Sequence, residues 1–217
     1  MKRISIALIV FWLLGSNQVN PETNTLPTGF IIYTIRKDDT LSKIAPSEGW
    51  QLIRKVNRVD EYHLIPGKKI LIPENLEEAK KFCPVPQSIA DELERKIIFF
   101  LDIQYFGAYE KGKLSFWGPI SSGRKNHETP EGEFYVLWKE KNYWSKKYKV
   151  PMRYSVCFSS EGYFFHKQAL PGKPASHGCV RLLAEDAEKL FDFSKKGDPV
   201  TLTNEKEGFP KVVKERQ

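Results

Sequence analysis

The chain has 217 residues, 41% of them hydrophobic and 13% aromatic, and 34 Lys and Arg against 27 Asp and Glu give a formal charge of +7. That length holds one medium domain plus a small module. The basic surplus suits an anionic wall or membrane surface, the lack of an aromatic-plus-basic recognition motif disfavours nucleic acid, and three cysteines exclude a disulfide scaffold.

In chain order, Lys2 and Arg3 precede an apolar run from Ile4 to Gly15 and a polar stretch from Ser16. Residues 1–20 read as an export signal or N-terminal anchor. The run is shorter than the ~20 residues of a transmembrane helix. Leu13-Leu14-Gly15-Ser16 lacks a small-x-small cleavage pattern, so cleavage and retention as a membrane anchor both stay open, and the expected destination is periplasm or cell wall. No cysteine follows the run, which argues against a lipoprotein.

Residues 31–74 form a compact unit. Ile31–Ile35 is rich in β-formers, Asp38-Asp39-Thr40 supplies helix caps before Leu41–Ala45, and Trp50–Val56 has helical spacing. Asn57 is placed to end that helix in a left-handed conformation. Pro66-Gly67 turns the chain into a closing strand, Ile70–Ile72. The order strand, helix, helix, strand, with Tyr33–Ala45, Val56-Asn57-Arg58 and Leu64–Pro73, resembles a LysM module, a small α+β (βααβ) fold. Asp38 stands where the family usually has Gly, and Asp tolerates a left-handed turn at modest cost. The resemblance implies binding to N-acetylglucosamine-containing glycan strands, with Asp39, Thr40 and Asn57 as candidate contacts; capping alone would also explain Asp39 and Thr40.

Residues 75–95 read as a linker. Asn75 begins a capping box and a short helix to about Phe82, Pro84 and Pro86 break it, and Ser88-Ile89-Ala90-Asp91 suggests another short helix. From 96 to 204 the pattern is mostly short strands with one late helix, Ala184–Phe193, which argues for a mainly β domain, a sandwich or partial barrel. Glu110-Lys111-Gly112-Lys113 reads as a hairpin turn. Residues 205–217 form a tail. Cys83 and Cys157 could pair and leave Cys179 free, or all three thiols could be free.

The chemistry concentrates in Ser176-His177-Gly178-Cys179-Val180-Arg181-Leu182. A free thiol titrates near ~8.5, so a nucleophilic Cys179 needs help, which His166 or His177 could give. Gly178 lets the backbone come close, and the amides of Gly178 and Cys179 could bind an oxyanion. The competing interpretation is a buried structural cysteine beside a hydrogen-bonded histidine. A zinc site lacks a fourth ligand and the usual spacing, and no cofactor is expected.

Ile120-Ser121-Ser122-Gly123 with Thr129–Phe134, then Pro151-Met152-Arg153-Tyr154, Phe165-His166 and Leu170–Leu182, together resemble the YkuD-type L,D-transpeptidase domain. The resemblance implies acyl transfer on peptidoglycan stem peptides, with Cys179 as nucleophile, His166 as base and His177 assisting. Ser176, Arg181, Met152 and Tyr154 would meet substrate, and Arg181 could fork onto a carboxylate. Lys167 stands where the family usually has Gly or Ser, which leaves open what orients His166. The expected product is a 3→3 cross-link. Hydrolysis, acyl transfer to a protein amine, and a non-catalytic wall-binding protein are the alternatives. A monomer is expected.

Overall fold

The computed structural model describes residues 26–45 and 48–204. The N-terminal segment read as a signal or anchor, and the tail beyond residue 204, lie outside them. No helix among the described residues is long and apolar enough to cross a membrane.

The first unit is β1 (Phe30–Thr34), α1 (Leu41–Ile44), α2 (Trp50–Asn57) and β2 (Lys69–Pro73). Its strands pair antiparallel from Phe30↔Pro73 to Thr34↔Lys69. Ile53 and Ile70 join Ile35 and Leu41 in one half of its core; Val56 and Leu71 join Phe30 in the other. Asp38 adopts a positive φ of 66°. The end of α2 departs from expectation: Arg58, not Asn57, takes the left-handed conformation. Asn57 stays helical because its side-chain amide is engaged on both sides. It donates to Ile53 O and Leu71 O and accepts from Leu71 N, which ties α2 to β2.

After α3 (Leu76–Ala79), capped by Asn75, the main domain begins with β3 (Lys96–Phe100). It continues with β4 (Tyr105–Glu110), β5 (Lys113–Ser121), β6 (Gly132–Tyr135), β7 (Trp138–Ser145), β8 (Val150–Cys157) and β9 (Phe164–Lys167). Then come β10 (Val180–Leu182), α4 (Ala184–Phe193) and β11 (Pro199–Thr203). Lys111 and Gly112 form the β4–β5 turn, both at positive φ. The strands make one nine-stranded sheet in the order β6-β11-β3-β4-β5-β10-β9-β8-β7. The sheet curls on itself. Phe134, from the β6 edge, meets Phe158 just after β8 with ring centroids 5.4 Å apart, and Leu137 N donates to Cys157 O. One core thus collects Ile97, Phe106, Val156, Phe165, Val180 and Leu202 from strands far apart in the sheet order, with Ala187 and Leu190 of α4.

The expected helix at Ser88–Asp91 does not form. This stretch runs along the β4–β5 turn instead: Ile89 N donates to Gly112 O, and Leu114 N donates to Gln87 O. Ile89 thereby packs with Val85 and Tyr109 in a second apolar cluster, burial that a short exposed helix would forgo. That cluster, which also takes in Phe82 and Cys83, covers the outer face of β3 and β4. All three cysteines are free thiols. Cys83 sits in this outer cluster and Cys157 in another, with Met152 and Phe164, so the two do not meet.

The first unit is fused to the sheet domain rather than strung beside it. Asp60 N donates to Leu170 O, and Leu170 N donates to Asp60 Oδ2 at 2.7 Å. Tyr105 Oη donates to Val56 O, and buried Arg58 donates to Ile103 O while its guanidinium lies over the Tyr105 ring. Lys55 Nζ stands 3.4 Å from Asp186 of α4 and over the Trp117 ring.

Candidate active site

The site is built on two adjacent parallel strands. In β9, Phe165 faces the core, so strand alternation turns Phe164 and His166 to the other side. In β10, Val180 and Leu182 face the core, which turns Cys179 and Arg181 the same way as His166. The register pairs Val180 with Phe165 and Arg181 with His166. Cys179 is therefore beside Phe164, and Arg181 beside His166, on one face.

His166 is 5% exposed, and its Nδ1 lies 2.9 Å from the carbonyl oxygen of Lys167. A carbonyl only accepts, so Nδ1 carries the proton and Nε2 keeps its lone pair. The orienting group is thus backbone, and the Lys167 side chain does not matter for it. Burial lowers the imidazole pKa to about 4, against the Lys167 carbonyl, which favours the charged form. Burial also raises the Cys179 thiol, opposed by the Phe164 amide and by the positive charges of Arg181 and Lys147. The resting pair at neutral pH is a thiol and a neutral imidazole, so the thiolate forms only as the proton moves.

The loop before Cys179 is clamped from β5 and its extension. Ser122 O accepts from Ala175 N and Ser176 N, and Ser121 Oγ donates to Lys173 O. Thr129 Oγ1 accepts from Gly123 N and donates to Gly178 O at 2.9 Å. Gly178 has φ 117°, and a Cβ there would lie 2.4 Å from the Tyr163 ring. Only glycine fits.

The residues singled out from sequence are placed as follows. Ser176 is buried; its hydroxyl accepts from Gly178 N and donates to Cys179 O, so it shapes the loop. Gly178's amide is consumed by that bond. Among the described residues no hydrogen bond engages the amides of His177 and Cys179, which flank Gly178. His177 is exposed at the cavity mouth, with Arg124 Nη2 donating to its Nε2 at 2.8 Å and the His127 and Tyr148 rings beside it. Partial desolvation and then Arg124 hold its pKa below the usual value. Arg181 is half-buried with no carboxylate partner among the described residues, and burial lowers its pKa.

Met152 lines the floor of a cavity of about 490 Å³ shared with Cys179, His177, Phe164, Tyr143 and Trp138. Tyr154 lies on the other face, packed beside the main core, with its hydroxyl donating to Glu188 of α4 at 2.7 Å. Simple alternation puts Met152 and Tyr154 on one side. Instead Tyr154 has φ 55°, at a break in β8–β9 register between Arg153 and Val156. This bulge flips the parity, so Met152 and Cys157, five residues apart, share the cavity wall.

In the LysM-like unit, Asp39 Oδ2 accepts from Tyr33 Oη and Arg36 N, and Thr40 Oγ1 meets Ser42 Oγ at 3.1 Å. Asn57 borders a small cavity of about 80 Å³ that Pro171 and Gly172 of the main domain help to wall. Arg124 and the Lys167 carbonyl carry no sequence signal as site groups. No cluster of three or more His, Cys, Asp and Glu side chains able to hold a metal exists among the described residues.

The arrangement is a cysteine and a backbone-anchored histidine on neighbouring parallel strands under an aromatic hairpin. The family model of the L,D-transpeptidase catalytic domain, YkuD, matches residues 94–202, and that of the LysM domain matches 33–73. The chain belongs to the YkuD L,D-transpeptidase family and carries a LysM domain. Among curated proteins it is 33% identical over 99 residues to "Probable L,D-transpeptidase 3" of Mycobacterium tuberculosis, covering 38% of this chain and 36% of that protein. The chain thus spans about a third of the curated relative's length. Among solved structures it resembles an L,D-transpeptidase (Yku) from Stackebrandtia nassauensis, with 29% identity, TM-score 0.50, and 60% of this chain and 64% of that one covered. An L,D-transpeptidase from Mycobacterium tuberculosis H37Rv is 27% identical, with TM-score 0.47 over 51% of this chain and 57% of that one.

Proposed function

We propose that the chain is an exported peptidoglycan L,D-transpeptidase that forms 3→3 cross-links through a thioester on Cys179. The observation that carries this is the His166 Nδ1–Lys167 O bond, which leaves Nε2 free on the face that Cys179 shares. His166 Nε2 takes the thiol proton as Sγ attacks the carbonyl between the third stem residue and D-Ala. The amides of Cys179 and His177, unengaged among the described residues, are the donors assigned to the developing oxyanion. The imidazolium returns its proton to the D-Ala amine, the C–N bond breaks, and the acyl group stays on sulfur. His166 then accepts a proton from the side-chain amine of a second stem's diamino acid as that nitrogen displaces Sγ. A new amide forms and the thiol is restored.

Arg181, with no carboxylate partner among the described residues, is suited to hold a stem carboxylate, and Met152 to line the donor pocket. His177, engaged by Arg124, orders the pocket mouth rather than serving as base. Asp39, Thr40 and Asn57 serve the LysM fold first, so glycan contacts fall to the loops they shape. The partners are stem peptides and glycan strands, and the wall is the place of action.

The test is incubation of the full chain with disaccharide-tetrapeptides and product masses. Dimers lacking one D-Ala are expected. Tripeptides alone would mean that water resolves the thioester, and unchanged substrate would sink the enzymatic reading.

A further inference from the structure

On the sheet face opposite Cys179, between the LysM domain and the catalytic domain, lies an open cleft of about 490 Å³. Its floor holds Arg153 of β8 and Lys167 of β9, directly paired in antiparallel register. Like charges directly opposite each other, with Cβ atoms ~5 Å apart, destabilise a sheet. Neither side chain has an anionic partner among the described residues. Arg54, Asp60 and Glu61 line the same cleft, and these acids have partners away from Arg153 and Lys167: Glu61, with Glu185, pairs with Arg54, and Asp60 binds the Leu170 amide and His63. The LysM wall contributes Tyr62, 84% exposed, an aromatic face held out to solvent where a core would have taken it.

We infer that this interdomain cleft is a binding site for an anionic glycopeptide segment, in which a stem-peptide carboxylate sits between Arg153 and Lys167 and a sugar ring stacks on Tyr62. Two cations on adjacent strands, without an anionic partner among the described residues, match a carboxylate, and the volume is that of an ordinary ligand cleft, ~300–1,000 Å³. Both walls come from domains assigned to the same polymer, so the site rests on the proposed wall function. It would hold a stretch of peptidoglycan distinct from the one in the Cys179 cavity, because the sheet lies between them.

The test is amide NMR of the full chain carrying Cys179→Ala, titrated with purified disaccharide-tetrapeptide and, separately, with the neutral N-acetylglucosamine tetramer. The tetrapeptide is expected to shift Tyr62, Arg153 and Gln168 saturably, and the neutral tetramer to leave Arg153 and Gln168 in place. Arg153→Glu puts a carboxylate opposite Lys167 and should weaken the cleft response at least tenfold while leaving the melting temperature equal or higher. Resonances at 177–180 report the catalytic cavity separately, so failure of the transpeptidase reading remains distinguishable from failure of this one. Absent cleft shifts, or shifts unaltered by Arg153→Glu, would overturn the inference.

Discussion

Asp60 of the LysM domain and Leu170 of the catalytic domain exchange two hydrogen bonds, Asp60 N to Leu170 O and Leu170 N to Asp60 Oδ2. Leu170 opens the segment that runs through Pro171 and Gly172 to the Cys179 loop. The LysM domain is therefore part of the frame of the Cys179 loop, and the two domains should melt together.

Removing the carboxylate tests that coupling. Asp60→Ala leaves the buried Leu170 amide without its partner, at a cost of about 1–3 kcal/mol. For a chain of this size the melting temperature should fall by about 2–4 °C per kcal/mol, still in one transition followed by circular dichroism. Two separate transitions in the unaltered protein would contradict the fused frame.

Ser176 and Tyr154 should differ in kinetics. Ser176→Ala strands the Gly178 amide and removes the donor to Cys179 O, so kcat should drop about tenfold or more with KM little changed. Tyr154→Phe loses only the Glu188 contact on the far face. Its kcat and KM should stay within twofold of the parent, and a several-fold rise in KM would return Tyr154 to the substrate site.

Two buried groups make opposite demands on pH. His166 titrates at about 4 in the fold, below its ordinary 6.5, so the stability it contributes is complete above 6.5 and is lost as pH falls toward 4. Asp186 is raised from 3.8 to about 6, mainly by burial, partly offset by Lys55, so its contribution is complete below 3.8 and is lost as pH rises through 6. Each shift is worth about 3 kcal/mol, and the two windows overlap. Asp186→Asn should therefore expose an acid-side loss that the unaltered chain masks, and His166→Gln should remove it. Chemical denaturation at pH 4, 5, 6 and 7 measures this, and parallel profiles for all three proteins would refute it.

Much of the fold was legible because its signals are local. The βααβ order of the LysM domain follows from β-formers and helical spacing between Ile31 and Pro73, whereas the side-chain caps expected from Asp38-Asp39-Thr40 do not form: Thr40 starts α1 without a capping bond and Asp39 accepts from Arg36 N instead. The order of motifs from Ile120 to Leu182 pointed to the family, and only through that resemblance to Cys179 and His166 as its working residues. What stayed hidden depends on tertiary context. Tyr154 leaves the cavity through a bulge that alternation cannot foresee, and Ile89 leaves its helix for apolar burial against Val85 and Tyr109. The Lys167 doubt dissolved because a backbone carbonyl, common to every residue type, anchors His166. The docking of Asp60 on Leu170 joins positions 110 residues apart, beyond any local pattern.

In the proposed reaction a peptide acyl group passes to Cys179 under general-base help from His166 Nε2. Intact-protein mass after mixing with a disaccharide-tetrapeptide tests it most directly. The unaltered chain should gain the donor mass minus D-Ala, on the peptide containing Cys179. His166→Gln should gain it at least a hundredfold more slowly, and Cys179→Ala not at all. An adduct that persists in Cys179→Ala, or that forms at the same rate in His166→Gln, would contradict the account.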